Sequence, residues 1–143
     1  MRDGLLYSDL TYKVIGAGMK VHTALGHGFL EKVYENALMV SLRKTGIAAE
    51  QQVPIKVYFE GVVVGDYYAD ILVEKKLIIE LKVAETINGV HKAQTLNYLK
   101  ATGLDIALIF NFGARSFEHF RLINRLEKPV RSELPQATSS IDS

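Results

Sequence analysis

One short segment restricts the possible fold more than any other: residues 77–83, which are apolar except for Glu80 and Lys82. Such a run predicts a central strand covered on both faces of its sheet. Burying a charge in such a strand is costly unless something compensates it. Because Glu80 and Lys82 are two positions apart, their side chains point to the same face. We therefore expect the strand to carry a charge cluster with a structural or functional role.

The rest of the pattern alternates between two periodicities. Apolar residues recur at steps of three and four in three segments, which predicts helices from Ser8 to Leu25, from Leu30 to Gly46 and, after a capping Asn88, to Gly103. Alternation with period two predicts strands at about 53–59, 62–73, 77–83, 105–112 and 117–123. The order ααβββαββ predicts an α/β sandwich with a mixed central sheet flanked by helices.

Composition limits the class of protein. The 143 residues are 48% hydrophobic, which predicts one domain over residues 1–127, and the Pro-, Ser- and Thr-rich segment 128–143 is expected to be a disordered tail. The lack of cysteine excludes disulfides and cysteine-based zinc sites. No export signal or membrane-length apolar run is found, so we expect a soluble cytoplasmic protein without membrane contact. A net charge of +1 argues against holding long nucleic acid by bulk electrostatics.

A third charged residue, Asp70, interrupts the strand that precedes the central one. Whether it shares a face with Glu80 depends on the connecting turn. A two-residue turn at Lys75-Lys76 would pair Asp70 with Leu81, whereas a three-residue turn at 74–76, or a bulge, would pair it with Glu80. We predict the second arrangement.

Two carboxylates and an ammonium on one face fit a site for a hard cation. Mg²⁺ prefers oxygen ligands and keeps several waters for a phosphate substrate. The alternative is structural: a buried ion pair of Lys82 with Asp70 or Glu80 could simply hold the register of the hairpin. The spacing alone does not separate the two interpretations.

The sequence also resembles a known family. Asp70 followed after nine residues by Glu80-Leu81-Lys82 is similar to the signature of the PD-(D/E)xK phosphodiesterase superfamily. Residues 28–34, Gly-Phe-Leu-Glu-Lys-Val-Tyr, resemble the motif of the GxxExxY family within it, and further similarity covers 91–94, 96–100 and 109–113. The resemblance implies a restriction-endonuclease-like αβββαβ sandwich.

What the resemblance implies for the site can be stated residue by residue. Glu31, Asp70 and Glu80 correspond to metal ligands, and Lys82 corresponds to the catalytic lysine. Gln94 and Tyr98 resemble a Q-x-x-x-Y motif that orients the substrate or the lysine. The residues also expected to contact substrate are Tyr34 on the face of Glu31, Tyr98, and His91 at the rim of the site.

The expected activity is hydrolysis of DNA or RNA with Mg²⁺ or Mn²⁺. The sequence departs from the family pattern at Tyr68, where the family usually has arginine. This difference lowers the affinity for phosphate that we expect. The alternative is a catalytically weak or inactive module of the same fold that binds nucleic acid or a protein partner. A weaker alternative is a metal-buffering or ion-pair-stapled structural domain. A homodimer is possible under either of the first two hypotheses.

Overall fold

A five-stranded sheet forms the centre of the computed structural model, which describes residues 7–124. The helices are α1 (Ser8–Leu25), α2 (Glu31–Lys44) and α3 (Gly89–Thr102). The strands are β1 (Ala49–Phe59), β2 (Val62–Val73), β3 (Leu77–Lys82), β4 (Ile106–Asn111) and β5 (Glu118–Ile123). Their order along the chain is the predicted ααβββαββ, and the predicted α/β class is confirmed.

The strands are ordered β1-β2-β3-β4-β5 across the sheet. Neighbours are antiparallel except β3 and β4, which are parallel and are joined through α3, so the sheet is mixed as predicted. Strand β3 is the middle strand, and even Glu80 within it is only 5% exposed. Strand β1 lies at the edge of the sheet, a position where a proline such as Pro54 is tolerated.

Two hydrophobic cores lie on opposite faces of the sheet. The first core joins α1 and α2 to the sheet and includes Tyr34, Ile79 and Leu81. The second joins α3 to the other face and includes Ile78 and Leu99. Successive residues of β3 therefore alternate between the cores, as a strand covered on both sides requires.

The start of β1 differs from the prediction, and the predicted end of the domain cannot be compared with the structure. Strand β1 begins at Ala49, about four residues earlier than expected, because Ala49 and the polar Glu50 and Gln51 also pair with β2. The predicted domain end at residue 127 and the predicted tail, 128–143, lie outside the described residues. Within residues 7–124, no helix is long and apolar enough to cross a membrane.

Candidate functional site

Strands β2 and β3 separate beside Asp70 and Glu80. The last pair of their ladder is Ile71 with Ile79. Residues 74–76 connect the strands, so the three-residue turn predicted from the sequence is confirmed. Continued by one step, this register brings Asp70 opposite Glu80, at the point where the ladder ends. We call this point the fork.

At the fork, two carboxylates take the place of ladder bonds. The backbone N–H of Leu81 donates to Asp70 Oδ2 at 2.8 Å, and the backbone N–H of Asp70 donates to Glu80 Oε2 at 3.3 Å. Each carboxylate is thus held by the backbone of the opposite strand. Within residues 7–124, no protein donor contacts Glu80 Oε1, so this oxygen is left for solvent or a ligand.

A local irregularity directs Asp70 into the fork. Ile71 packs in the first core, yet Ala69, two positions away, packs in the second core, so β2 changes faces at Asp70. The facing residue Gln52 has a φ of 52°, an unusual value for a strand residue. This change of face lets the Asp70 side chain reach across to the Leu81 N–H in the gap between strands.

Burial raises the pKa of both carboxyl groups. The pKa of Glu80 lies well above its usual value, chiefly because the side chain is desolvated and secondly because the Asp70 carboxylate is near. Burial also raises the pKa of Asp70, although the Leu81 N–H opposes this. No Lys, Arg or His of residues 7–124 forms an ion pair with either group. The fork therefore holds two acidic groups without an ion-pair partner, which a bound cation would stabilise.

Lys82 lies near the fork without closing an ion pair. Its ammonium lowers the pKa of Asp70 and Glu80, so it acts on both electrostatically. No contact of ion-pair length joins it to an acidic side chain in the described part of the chain. The hypothesis of a buried ion pair that holds the hairpin register is therefore wrong for this structure.

A buried amide fixes the backbone just beyond Lys82. Asn111 is 0% exposed; its Oδ1 accepts from the N–H groups of Ala84 (3.0 Å) and Gly113 (2.9 Å). Its Nδ2 donates to the Ala84 carbonyl and to Glu118 Oε1, both at 2.9 Å. A Cβ on Gly113 would lie 2.4 Å from the Ala84 nitrogen, so glycine is required there. These contacts join the ends of β3 and β4 and restrict the position of Lys82.

Glu31 lies in the first turn of α2 and belongs to the same electrostatic group. Partial burial and the neighbouring Asp70 carboxylate raise its pKa, while Lys82 lowers it. Across residues 7–124, however, no three acidic or histidine side chains are arranged closely enough to form a ready metal cage. The structure thus brings Asp70 and Glu80 together at the fork, with Glu31 and Lys82 within electrostatic range.

Sequence reasoning missed Glu35 as a site residue. Its carboxylate is 2% exposed and accepts hydrogen bonds from Lys32 Nζ (3.1 Å), Gln51 Nε2 (2.7 Å) and Gln52 Nε2 (3.1 Å). Gln52 Nε2 also lies 3.4 Å from Asp70 Oδ1, which links α2 to the fork. The available signal was its position one helical turn after Glu31, on the same face.

Gln94 and Tyr98 lie on α3 and line an open groove of about 320 Å³. Burial, followed by the Glu80 and Asp70 carboxylates, raises the pKa of Tyr98 to about 12. This influence shows that the Tyr98 hydroxyl lies within electrostatic range of the fork. Gln94 is exposed, and its side-chain amide forms no hydrogen bond with residues 7–124.

The two other expected substrate contacts have local structural partners. Tyr34 is 0% exposed, and its hydroxyl donates to the Gly26 carbonyl at 2.6 Å and accepts from the Phe29 N–H at 3.1 Å. This burial does not support the substrate-binding role expected for Tyr34. His91 forms a capping box with Asn88 at the start of α3, and its Nδ1 accepts the Asn88 N–H at 3.3 Å.

The donor set at the fork fits a divalent cation of the magnesium type. Mg²⁺ is commonly bound through one or two carboxylates, with waters and substrate phosphate completing its shell. Asp70 and Glu80 supply two such groups in a partly dehydrated position, and no protein cation of residues 7–124 forms an ion pair with them. The fit does not require a complete cage of three protein ligands.

Comparison with known proteins agrees with this architecture. The profile of the PD-(D/E)XK nuclease superfamily matches residues 8–123. The crystal structure of SSO0001 is similar with a TM-score of 0.52 and 17% identity, over 94% of this chain and 68% of that one.

A crystal structure of an alkaline exonuclease (LHK-Exo) from Laribacter hongkongensis gives a TM-score of 0.44 and 14% identity, over 77% of this chain and 63% of the exonuclease. No curated protein matches the sequence. The match of the superfamily profile covers most of the chain, including both carboxylates of the fork and Lys82. The chain belongs to the PD-(D/E)XK nuclease superfamily.

Proposed function

We propose that this chain is a divalent-metal-dependent nuclease that hydrolyses phosphodiester bonds of DNA or RNA. The observation that carries the proposal is the fork itself. Two carboxylates are fixed by reciprocal backbone hydrogen bonds, and no cation of residues 7–124 pairs with them. A purely structural cluster would be expected to contain its own counter-charge.

Asp70 and Glu80 would hold Mg²⁺ or Mn²⁺, and Glu31 would complete the acidic set directly or through water. When bound, the metal supplies positive charge to the phosphate and lowers the pKa of a water ligand. Lys82 would orient the attacking water and offset the negative charge that develops on the phosphate. Gln94 and Tyr98 would orient the nucleic acid from α3, with His91 at the rim.

Glu35 would act as a positioning residue. Its carboxylate holds the Gln52 amide, which in turn lies beside Asp70 Oδ1. Groups that orient a metal ligand affect metal affinity even though they do not touch the metal. This arrangement supports a role for α2 and β1 in keeping Asp70 in place.

The direct test is hydrolysis of labelled single-stranded DNA, duplex DNA and RNA with Mg²⁺ or Mn²⁺. We expect the wild type to cleave at least one substrate and Glu80→Gln to be inactive. The matched control is Glu60→Gln, which makes the same change at an exposed position in the β1–β2 turn and should remain active. Equal activity in wild type and Glu80→Gln would identify a contaminating nuclease and overturn the proposal.

One observation favours a second candidate, a nucleic-acid-binding module without catalysis. Tyr68, at the position where an arginine was expected, is 55% exposed and offers no positive charge to phosphate. Nucleic acid that binds the wild type and remains uncleaved across both metals would favour this candidate.

A further inference from the structure

The groove beside the fork contains a set of side chains that the proposed chemistry does not use. Its walls come from the β1–β2 ribbon on one side and α3 on the other. Besides Gln94 and Tyr98, it is lined by Val57, Tyr67, Asn97, Lys100 and Ala101. Two aromatic rings, two amides and one ammonium therefore surround about 320 Å³.

Tyr67 provides an exposed aromatic surface in this groove. Its side chain is 44% exposed, and its ring centroid lies 5.6 Å from that of Tyr98 at an interplanar angle of 47°. A Cβ on Gly65 would lie 2.9 Å from the Tyr67 ring, so the absence of a side chain at Gly65 makes room for the ring over the ribbon. Tyrosine rings in such positions stack against nucleobases irrespective of sequence.

The polar groups of the groove complement this aromatic surface. Gln94 and Asn97 are exposed, and neither amide forms a hydrogen bond with another residue of 7–124. Each amide carries a donor and an acceptor, the combination that pairs with the edge of a base. Lys100 is exposed at the same groove and is suited to a backbone phosphate.

The groove is connected to the fork through Tyr98. This residue lines the groove and packs in the same core as Ala69, the neighbour of Asp70. The volume is at the lower end of the range of about 300–1,000 Å³ typical of small-ligand sites. Such a groove accepts one unstacked base, whereas a base paired within a duplex is held in its stack.

We infer that this groove binds one unpaired base of a single-stranded nucleic acid beside the scissile phosphate, with Tyr67 as the stacking surface and Asn97 and Lys100 as polar contacts. The inference rests on the proposed function for the class of ligand. It implies a preference for single strands or unpaired ends over continuous duplex. DNA and RNA share the stacking chemistry, and the test separates them.

The experiment measures binding without cleavage. The Glu80→Gln protein in EDTA is titrated against short fluorescein-labelled single-stranded DNA, single-stranded RNA and duplex DNA by fluorescence anisotropy. Adding Tyr67→Ala should weaken single-strand binding by about 5-fold to 150-fold, the range expected for one lost stacking contact. Tyr67→Phe keeps the ring and should bind like the parent. Duplex affinity should be unchanged by Tyr67→Ala.

Two further variants complete the design. Tyr12→Ala removes an 81% exposed tyrosine from α1, on the opposite face of the sheet, and should change nothing. Asn97 lies on the other wall of the groove, and Asn97→Ala should also weaken single-strand binding. This variant gives a result even if Tyr67→Ala fails to fold. Unchanged single-strand affinity in both Tyr67→Ala and Asn97→Ala, equal loss on duplex and single strand, or no single-strand binding by the parent would overturn the inference.

The two proposals can fail separately. If the wild type cleaves nucleic acid but the groove variants bind single strands like the parent, the nuclease proposal stands and the base site does not. If the groove variants lose single-strand binding while no metal supports cleavage, the base site stands and the nuclease proposal fails.

Discussion

The backbone N–H of Asp70 donates a hydrogen bond to Glu80 Oε2 at 3.3 Å, so one acidic residue of the fork holds the carboxylate of the other. In the other direction, the backbone N–H of Leu81 donates a hydrogen bond to Asp70 Oδ2 at 2.8 Å. Because both contacts replace ladder bonds, the acidic groups occupy the gap between β2 and β3. This gives two acidic groups fixed positions despite their mutual repulsion.

Replacing Glu80 with glutamine should stabilise the metal-free protein at neutral pH. Burial raises the pKa of Glu80 in the folded state, so the folded protein binds a proton more tightly than the unfolded chain does. The stability that protonated Glu80 contributes is fully present below the pKa that this group has in the unfolded chain. It is lost as the pH rises through the higher pKa that the group has in the folded protein. Urea unfolding in EDTA across this pH range measures the effect.

The wild type and Glu80→Gln should therefore have similar stability at low pH and diverge as the pH rises, with the variant the more stable. Glu60→Gln, at an exposed position, should follow the wild type throughout. A Glu80→Gln protein that is less stable than wild type at neutral pH in EDTA would contradict an uncompensated charge at the fork.

Asn111→Ala should destabilise the protein by about 2–4 kcal/mol, because several buried backbone groups lose their partner together. The affected groups are the N–H and carbonyl of Ala84 and the N–H of Gly113. Urea denaturation gives the change in the free energy of unfolding. Asn97→Ala, at an exposed position whose amide forms no hydrogen bond with residues 7–124, serves as the matched control and should cost about 0.5 kcal/mol or less. Equal effects of the two variants would show that Asn111 does not join the ends of β3 and β4.

Tyr34→Phe should affect stability and not substrate affinity. The change removes a hydroxyl that bonds Gly26 and Phe29, and we expect a loss of about 1–2 kcal/mol. The buried ring, stacked on Phe112 with centroids 4.7 Å apart, is retained. Thermal unfolding and KM for nucleic acid are compared with those of the wild type. A raised KM with unchanged stability would restore the substrate-binding role that the structure does not support.

Glu35→Ala should lower metal affinity without removing a metal ligand. Loss of this carboxylate releases Gln51 and Gln52, and Gln52 lies beside Asp70. We expect Mn²⁺ affinity to fall by about tenfold or more, as is typical for groups that orient metal ligands. Glu50→Ala, which breaks only an exposed ion pair with Lys75, is the control. Identical Mn²⁺ affinity in Glu35→Ala and wild type would remove Glu35 from the positioning network.

Much of the fold could be predicted from residue patterns because the signals are local. The apolar run around Glu80 predicted the central strand, and β3 is the middle strand of the sheet. The choice between two turn lengths decided whether Asp70 faced Glu80, and that choice proved correct. A two-residue turn would have placed Asp70 on the other face.

Other features depend on contacts between segments that are distant in the sequence. The positive φ of Gln52 and the change of faces at Asp70 are not predictable from a non-glycine strand sequence. Glu35 joins the network only because the fold brings β1 beside α2. The burial of Tyr34 likewise follows from packing of the loop between α1 and α2.

The most direct test of the account is to measure Mn²⁺ binding by isothermal titration calorimetry. Four proteins are compared: wild type, Asp70→Asn, Glu80→Gln and the Glu60→Gln control. If the fork is a divalent-metal site, the wild type and Glu60→Gln bind Mn²⁺ alike, and each fork variant loses that binding. Mn²⁺ binding of equal strength and stoichiometry in all four proteins, or in none of them, would contradict the central claim.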